Sequence, residues 1–237
     1  MQTEPKEFRI RILFVRHGHP DYQKDCLTEL GHRHGEAVAR RLAEESIDKI
    51  FSSNMGRAVE TAGHIAALLG LDVTQLEFMR ELRWGPRGDT PIPLGGHPWH
   101  TAEDMAAQGL SLLSPHWETE APFRENKVVD DARQTGAAFD LWLQNFGLER
   151  DGAYYRITAP QNTTVALVSH AGSSGAVLAH LLNLPFPFVC AAMSPDFTAV
   201  TSVIFQGEAG ALITPRLELL NDHRHIRNIS GEIFYGN

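Results

Sequence analysis

The sequence predicts an α/β fold: a single three-layer domain with a mostly parallel central sheet, helices on both faces and a lid-like insertion. Strand-like and helix-like segments alternate along most of the 237 residues, which is typical of parallel strands joined by helices. Two strand segments are strongly apolar, as expected of central strands that are covered on both faces. Chemically active residues follow the strand ends, where ligands bind in sheets of this kind.

The first third of the chain carries the clearest alternation. In FRIRILFV, residues 8–15, apolar side chains lie on both faces of a predicted strand. Thr28 is a suitable N-cap for a helix that runs to about residue 45, with Val38 and Leu42 on its inner face. The next predicted elements are a strand at 48–52, a helix at 56–69 that ends at Gly70, and a strand at 72–78.

A long excursion interrupts the alternation over residues 85–127. It is rich in Gly, Pro, His and Trp, and one helix is predicted near residues 101–113. So long a connection inside a compact domain is usually a functional lid or an insertion. We therefore expect one domain over residues 1–237, with a lid-like insertion at about 85–127.

The alternation returns after the insertion. A helix is predicted over residues 130–146, with Ala138, Leu141, Trp142 and Phe146 on its apolar side. The remaining predicted elements are a strand at 163–168, a helix at 172–183 that Pro185 stops, and strands at 197–205 and 212–219.

The composition excludes several classes of function. Asp and Glu outnumber Lys and Arg by 29 to 21, which disfavours a nucleic-acid partner because phosphate backbones require clustered cations. No segment approaches the ~18 apolar residues of a membrane span, and the N-terminus lacks the features of a signal peptide. Cys26 and Cys190 are too few for a disulfide framework. We therefore expect a cytoplasmic protein without a membrane partner, and the sequence leaves a homodimer open.

Polar residues that suit phosphoryl chemistry follow the predicted strands. Because the carboxyl ends of parallel strands meet at one edge of a sheet, we expect these residues to gather there. They are Arg16 and His17 after the first strand, Ser53 and Arg57 after the second, Glu81 after the third, and His170 after the strand at 163–168.

Each residue type in this set has a part in phosphoryl transfer. Arg16 and Arg57 can hold phosphate oxygens with forked hydrogen bonds, and helix starts add oriented N–H groups. A histidine nitrogen such as that of His17 is a competent nucleophile toward phosphorus. His170 can donate a further hydrogen bond, and Glu81 can protonate the leaving oxygen and later deprotonate water.

The segment LFVRHGHP, with Arg16-His17-Gly18, resembles the signature of the histidine phosphatase superfamily, the phosphoglycerate-mutase-like proteins. Further segments resemble this family in the right order, and the last resembles its phosphatase branch. These segments are LTELGHRHGEAVARRLA (27–43), FSSNMGRAVETA (51–62), MRELRWGPRG (79–88), VSHAG (168–172) and LNDHRHI (220–226). The family's Gly-x-Trp-Glu-Gly pattern is not intact, because this chain has Trp-Gly-Pro-Arg-Gly at 84–88.

The resemblance implies a phosphatase that needs no metal and no cofactor and acts on a small phosphorylated metabolite. It implies that His17 becomes phosphorylated, with its ring oriented by a backbone carbonyl near Gly18. Arg16, Arg57 and His170 would form the rest of the phosphate pocket, and Glu81 would be the proton donor. The expected substrate contacts are Gly18, His19, Ser53, Ala171 and Gly172.

Three alternatives stay open at this point. A mutase would use the same phosphohistidine, although mutases of the family typically follow Arg-His-Gly with Glu-Ser and then Trp-Asn, where this chain has His-Pro-Asp-Tyr at 19–22. A metal-dependent hydrolase is the second alternative, because the pairs His17/His19 and His32/His34 have ligand-like spacing, although a metal site needs further converging ligands. A binding protein without catalysis is the third alternative, because fold does not fix function.

Overall fold

A computed structural model describes residues 7–230. The chain forms two compact units. Within the described residues, the sheet unit comprises residues 7–80, 140–170 and 195–230, and the second unit comprises residues 81–139 and 171–194.

The regular elements follow each other along the chain in a mixed α/β order. The strands are β1 (Glu7–Arg16), β2 (Pro20–Asp21), β3 (Cys26–Leu27), β4 (Lys49–Ser53), β5 (Val73–Leu76), β6 (Leu148–Asp151), β7 (Tyr154–Ile157), β8 (Asn162–Ser169), β9 (Val200–Glu208), β10 (Leu212–Ile213) and β11 (Arg216–Asp222). The α-helices are α1 (Glu29–Leu42), α2 (Gly56–Leu69), α3 (Pro98–Ala107), α4 (Ala121–Arg124), α5 (Val128–Leu143), α6 (Ala171–Leu182), α7 (Phe186–Ala192) and α8 (Arg227–Ser230).

The central sheet has the strand order β11-β9-β1-β8-β4-β5. The pairs β1–β8, β8–β4 and β4–β5 are parallel, whereas β9 is antiparallel to both β1 and β11. The predicted α/β fold with a mostly parallel central sheet is therefore confirmed. In the β1–β8 ladder Arg16 lies opposite Ser169, so the residues that follow the two strands leave the sheet at the same level.

Strand β1 is buried on both faces, as its sequence predicts. Leu13 and Val15 belong to a core cluster with Val38 and Leu42 of α1 and with the apolar side of α2. Ile12, on the opposite face, is also fully buried. Burial on both sides places β1 in the interior of the sheet unit and holds its carboxyl end in a fixed position.

The N-terminal boundary of α1 and the C-terminal boundary of α2 follow the expected signals. The Thr28 side chain accepts a hydrogen bond from the backbone N–H of Gly31 at 3.1 Å, so Thr28 is the N-cap of α1. Gly70 ends α2 in the left-handed conformation, with φ of 67°. The α3 boundaries differ from the prediction of 101–113: the helix begins at Pro98, a favoured first position, and ends before Gly109, whose φ is 73°.

Two predictions about the second half of the chain are wrong in detail. The predicted strand at 212–219 is divided into β10 and β11 by Pro215, which has no backbone N–H to donate to a ladder. Leu141 is 65% exposed, because the buried stripe of α5 runs through Phe139, Trp142 and Leu143 instead. The β6–β7 hairpin was not predicted, although the Asp-Gly pair at 151–152 is a hairpin signal.

None of the described helices combines the length and the apolar character that a membrane crossing requires.

Replacing Leu13 by Ala is expected to lower the free energy of unfolding by about 2–5 kcal/mol, because it leaves a cavity in the core between β1 and α1. The matched control is Leu141→Ala, a change of the same size at an exposed position, which should alter stability by no more than about 0.5 kcal/mol. Urea denaturation of both variants measures the difference. Equal losses in the two variants would contradict the core assignment.

Candidate active site

The carboxyl edge of the central sheet brings three chain segments together by backbone hydrogen bonds. The N–H of His17 donates to the Ser169 carbonyl at 2.9 Å, and the N–H of Thr198 donates to the Arg16 carbonyl at 3.0 Å. These bonds join the ends of β1 and β8 to the segment that leads into β9. The residues that follow these strands are therefore held against one another.

His17 lies at the centre of this edge and is 1% exposed. Its Nδ1 is 2.7 Å from the carbonyl oxygen of Gly18. Because a carbonyl only accepts, Nδ1 carries the proton and Nε2 keeps its lone pair. That lone pair accepts a hydrogen bond from Nε of Arg57 at 3.2 Å.

Gly18 fits a position where no side chain has room. A Cβ atom at this residue would lie 2.6 Å from the carbonyl oxygen of Gly31 in the first turn of α1. The N–H of Gly18 donates to the hydroxyl of Thr61 at 3.0 Å. The turn that orients the His17 ring is thus fixed from both sides.

Arg57, in the first turn of α2, is 5% exposed and has contacts from three directions. Besides its bond to His17, its Nη1 donates to Asp25 Oδ1 at 2.5 Å. Its guanidinium carbon is 5.4 Å from the ring centre of Tyr22, a cation–π distance. The position of this buried cation is therefore determined by surrounding protein groups.

Arg16 is also buried, at 6% exposure. Its Nη1 donates to the carbonyl oxygen of Pro195 at 2.8 Å, and its guanidinium carbon lies 4.2 Å from the ring centre of Phe197. Both groups come from the segment just before β9. Two guanidinium groups thus lie near His17, each held by a different part of the sheet unit.

His170 directly follows β8 and is fully buried. Its ring centre is 5.1 Å from that of His17, and its Nε2 is 2.9 Å from the Ser53 hydroxyl. That hydroxyl also accepts a hydrogen bond from the N–H of Met55 at 3.2 Å. Nδ1 of His170 is buried and has no hydrogen-bond partner within residues 7–230.

Both imidazoles are uncharged at neutral pH. Burial lowers the pKa of His17 well below the ordinary value, and the positive charges of Arg16 and Arg57 lower it further. The pKa of His170 is lowered in the same way, first by burial and then by Arg57, Arg16 and Arg80. A neutral His17 keeps the lone pair that a nucleophile requires.

His19 lies beside this group. Its Nδ1 is 2.9 Å from the hydroxyl of Thr28, and its ring centre is 5.4 Å from that of Phe197. Its pKa is lowered by partial burial. The structure therefore places His19 next to the Phe197 ring that Arg16 and His17 also contact.

The remaining predicted site residues, Glu81, Ala171 and Gly172, belong to the second unit. Oε1 of Glu81 accepts hydrogen bonds from the N–H groups of Leu82 at 3.0 Å and Ser173 at 3.2 Å. A Cβ atom on Gly172 would lie 2.4 Å from the same oxygen. Glu81 therefore sits at the beginning of α6, of which Ala171 is the first residue.

Sequence reasoning missed three side chains that contact the buried arginines. Tyr22 and Asp25 belong to the short segment after the Arg-His-Gly motif, and Phe197 precedes β9. The antiparallel register, with Val15 opposite Val200, places the start of β9 at the carboxyl end of β1. An antiparallel assignment for β9 would therefore have located Phe197, whereas the contacts of Tyr22 and Asp25 depend on loop geometry.

A metal site at the His32/His34 pair would need further ligands nearby. No group of three or more His, Cys, Asp or Glu side chains among residues 7–230 is arranged to hold a metal ion. On α1, His32 is exposed and its Nδ1 lies 3.1 Å from Nε2 of His64, whereas His34 is buried. The helix thus turns the two histidines of this pair in different directions.

Part of the chain is similar in sequence to a known protein family. Residues 12–92 match the family model described as "Histidine phosphatase superfamily (branch 1)". A probable phosphoglycerate mutase, GpmB, of Yersinia pestis (strain Pestoides F) is 28% identical over 188 residues, which cover 74% of this chain and 76% of that protein.

Solved structures of phosphatases have the same fold. A mycobacterial glucosyl-3-phosphoglycerate phosphatase is 26% identical, with a TM-score of 0.62 over 89% of this chain and 98% of that chain. A phosphoserine phosphatase mutant from Entamoeba histolytica is 18% identical, with a TM-score of 0.58 over 92% of this chain and 99% of that chain. At that identity the second likeness concerns the fold alone.

His34 is a buried histidine close to the site but outside its reacting groups. It is 2% exposed, its ring centre is 6.4 Å from that of Phe197, and neither ring nitrogen has a hydrogen-bond partner within residues 7–230. Burial lowers its pKa to about 4. Between pH 6.5 and 4 the unfolded chain binds a proton at this residue and the folded chain does not, so acid favours unfolding.

Replacing His34 by Leu is expected to remove this contribution. As the pH falls from 7.5 to 4.5, the unfolding free energy of the wild type should decrease by about 2 kcal/mol more than that of His34→Leu. Urea denaturation of both proteins across this pH range measures the two slopes. Parallel slopes would show that His34 does not contribute to acid sensitivity.

Proposed function

We propose that this chain, which is similar to the histidine phosphatase superfamily over residues 12–92, hydrolyses the phosphoric monoester of a small phosphorylated metabolite through a phosphohistidine on His17. The observation that carries this proposal is the orientation of the His17 ring. Its Nδ1 proton is engaged by the Gly18 carbonyl, and its Nε2 lone pair faces the buried guanidinium of Arg57. A nucleophilic nitrogen beside a fixed cation suits attack on an anionic phosphoryl group.

In the first half of the reaction, Nε2 of His17 forms a bond to phosphorus while the bond from phosphorus to the ester oxygen breaks. Glu81 gives its proton to that oxygen, so the product leaves as an alcohol. In the second half, water attacks the phosphohistidine, Glu81 accepts a proton from the water, and the bond from phosphorus to nitrogen breaks. Inorganic phosphate leaves, and both side chains return to their starting states.

The surrounding groups stabilise the charge on the transferring phosphoryl oxygens. Arg16 and Arg57 supply two buried cations with forked donors. Nδ1 of His170, which lacks a partner within residues 7–230, is the third donor that we assign. These groups are already held in place by protein contacts, so little reorganisation accompanies the reaction.

The proposal also covers the substrate-binding residues, the lid, the cellular location and the oligomeric state. We assign Gly18, His19, Ser53, Ala171 and Gly172 to substrate binding, and we assign a lid function to residues 85–127. No cofactor or metal takes part in the steps proposed for these residues. A cytoplasmic location and a homodimer also stay proposals.

A mutase is the second candidate, favoured by the relatives named as probable phosphoglycerate mutases. It would return the phosphoryl group from His17 to another oxygen of the bound product. Product analysis distinguishes the two reactions, because a phosphatase releases inorganic phosphate and a mutase produces an isomer of the substrate.

Replacing His17 by Ala should lower turnover of a phosphate monoester at least about a thousand-fold, because the nucleophile is lost. Brief exposure of the wild type to ³²P-labelled monoester should give an acid-labile label on the protein, and His17→Ala should give none. His32→Ala, at an exposed histidine of α1, is the matched control and should retain both turnover and label. A labelled His17→Ala protein would refute the proposed nucleophile.

Replacing Glu81 by Gln should have an effect that depends on the leaving group. Esters of alcohols with a high pKa require a proton donor and should lose about a hundred-fold or more in kcat, whereas p-nitrophenyl phosphate should lose much less. The ratio of the two losses, measured with the same enzyme preparation, is the decisive quantity. Equal losses would mean that Glu81 does not protonate the leaving oxygen.

A further inference from the structure

The turn of the short β2–β3 hairpin contacts the beginning of α2. Asp25, at this tip, has a φ of 51°, in the left-handed region. A Cβ atom on Gly56 would lie 2.1 Å from the backbone carbonyl oxygen of Asp25, so this approach requires glycine at position 56. The close contact places the Asp25 side chain at the start of the helix that carries Arg57.

The two carboxylate oxygens of Asp25 are engaged by different donors. Oδ2 accepts from the N–H of Gly56 at 2.8 Å, and Oδ1 accepts from Nη1 of Arg57 at 2.5 Å. The Arg57 side chain is 6% exposed, whereas that of Asp25 is 40% exposed. A carboxylate with one oxygen on the backbone and the other on the guanidinium fixes both the position and the plane of the guanidinium.

Arg57 connects Asp25 to His17 by hydrogen bonds. Its Nε donates to Nε2 of His17 at 3.2 Å, so Asp25, Arg57 and His17 form a continuous series. Within residues 7–230, the acceptor found for Nη2 is a weak one, the sulfur of Met55 at 3.8 Å. The guanidinium is therefore oriented by Asp25 and retains donor capacity for a phosphoryl oxygen.

We propose that Asp25 is a positioning residue that fixes Arg57 against His17 and offsets its charge, so that the site releases inorganic phosphate readily. The inference rests on the proposed function, which identifies the ligand as a phosphoryl group. The Asp25 carboxylate accepts a hydrogen bond from one nitrogen of the Arg57 guanidinium. Its negative charge repels a phosphate anion that binds the other guanidinium nitrogens. Removing this negative charge while retaining an oxygen acceptor should strengthen phosphate binding.

The variant Asp25→Asn tests the charge. Isothermal titration with inorganic phosphate at low ionic strength should give a Kd about two- to five-fold lower than that of the wild type, the range typical of one exposed charge pair. The difference should shrink at high ionic strength, because salt screens the carboxylate. A merely structural role for Asp25 would not produce this salt dependence, and an unchanged or higher Kd would overturn the proposal.

Glu60→Gln is the matched control for loss of a carboxylate near the hairpin. Glu60 lies on α2 and accepts from the N–H of Leu27 at 2.6 Å, and Gln retains an oxygen for this bond. Its Kd for phosphate should equal that of the wild type. A decrease as large as that of Asp25→Asn would mean that net charge, and not the contact with Arg57, determines the affinity.

Asp25→Ala tests the orientation, because it removes both hydrogen bonds. Its kcat should fall about ten- to a hundred-fold, as expected when a reacting group loses its alignment. Asp25→Asn keeps one of the two oxygen acceptors, so its loss of kcat should be smaller than that of Asp25→Ala. Circular dichroism establishes that Asp25→Ala is folded. A folded Asp25→Ala protein with wild-type kcat would overturn the positioning role.

Phosphate binding and monoester hydrolysis are measured independently, so the role of Asp25 and the proposed function can fail separately. If the wild type hydrolyses no monoester but Asp25→Asn still binds phosphate more tightly, the proposed function fails and the role of Asp25 stands. If the wild type hydrolyses monoesters but the two proteins bind phosphate equally, the role of Asp25 fails and the function stands.

Discussion

The parallel pairing of β1 with β8 is the constraint on which the candidate site depends. Because Arg16 lies opposite Ser169 in this ladder, the next residue of each chain segment, His17 and His170, leaves the sheet at the same level. A shift of one residue would turn the inward and outward sides of a strand around. Both strands are buried, so such a shift would exchange the side chains that pack on the two faces of the sheet, and the placement of the two imidazoles follows from the observed register.

Buried cations are costly unless polar or aromatic groups replace water around them. Arg16 and Arg57 meet this requirement with unlike partners: a backbone carbonyl and an aromatic ring for Arg16, and a carboxylate and an aromatic ring for Arg57. The nearby imidazoles stay uncharged because burial and these same cations lower their pKa values. The site thus has a positive field and a neutral nucleophile, a combination that favours an anionic substrate.

Much of this arrangement follows from sequence patterns, and the rest depends on tertiary contacts. The strand ends can be predicted from the sequence because buried strands such as residues 163–168 are continuous and apolar. The parallel order of the strands then brings the residues that follow them together. The phase of α5 was misjudged at Leu141, since several apolar residues compete for the inner face of that helix. Asp25 was missed because its contact with Arg57 arises from a left-handed residue in a short hairpin, which periodicity does not report.

Close backbone contacts explain how the loop after Arg-His-Gly can orient the site before any ligand arrives. Gly18 lies against the first turn of α1, and Asp25 lies against Gly56 at the start of α2, so two glycines allow the loop to touch both helices. Each helix is itself held on the core face of β1. A displacement of either helix would therefore move the loop, and with it the Gly18 carbonyl that fixes the His17 tautomer. The packing of the core therefore helps to determine which nitrogen of His17 carries the proton. Folding thus sets the geometry of the site before any ligand binds.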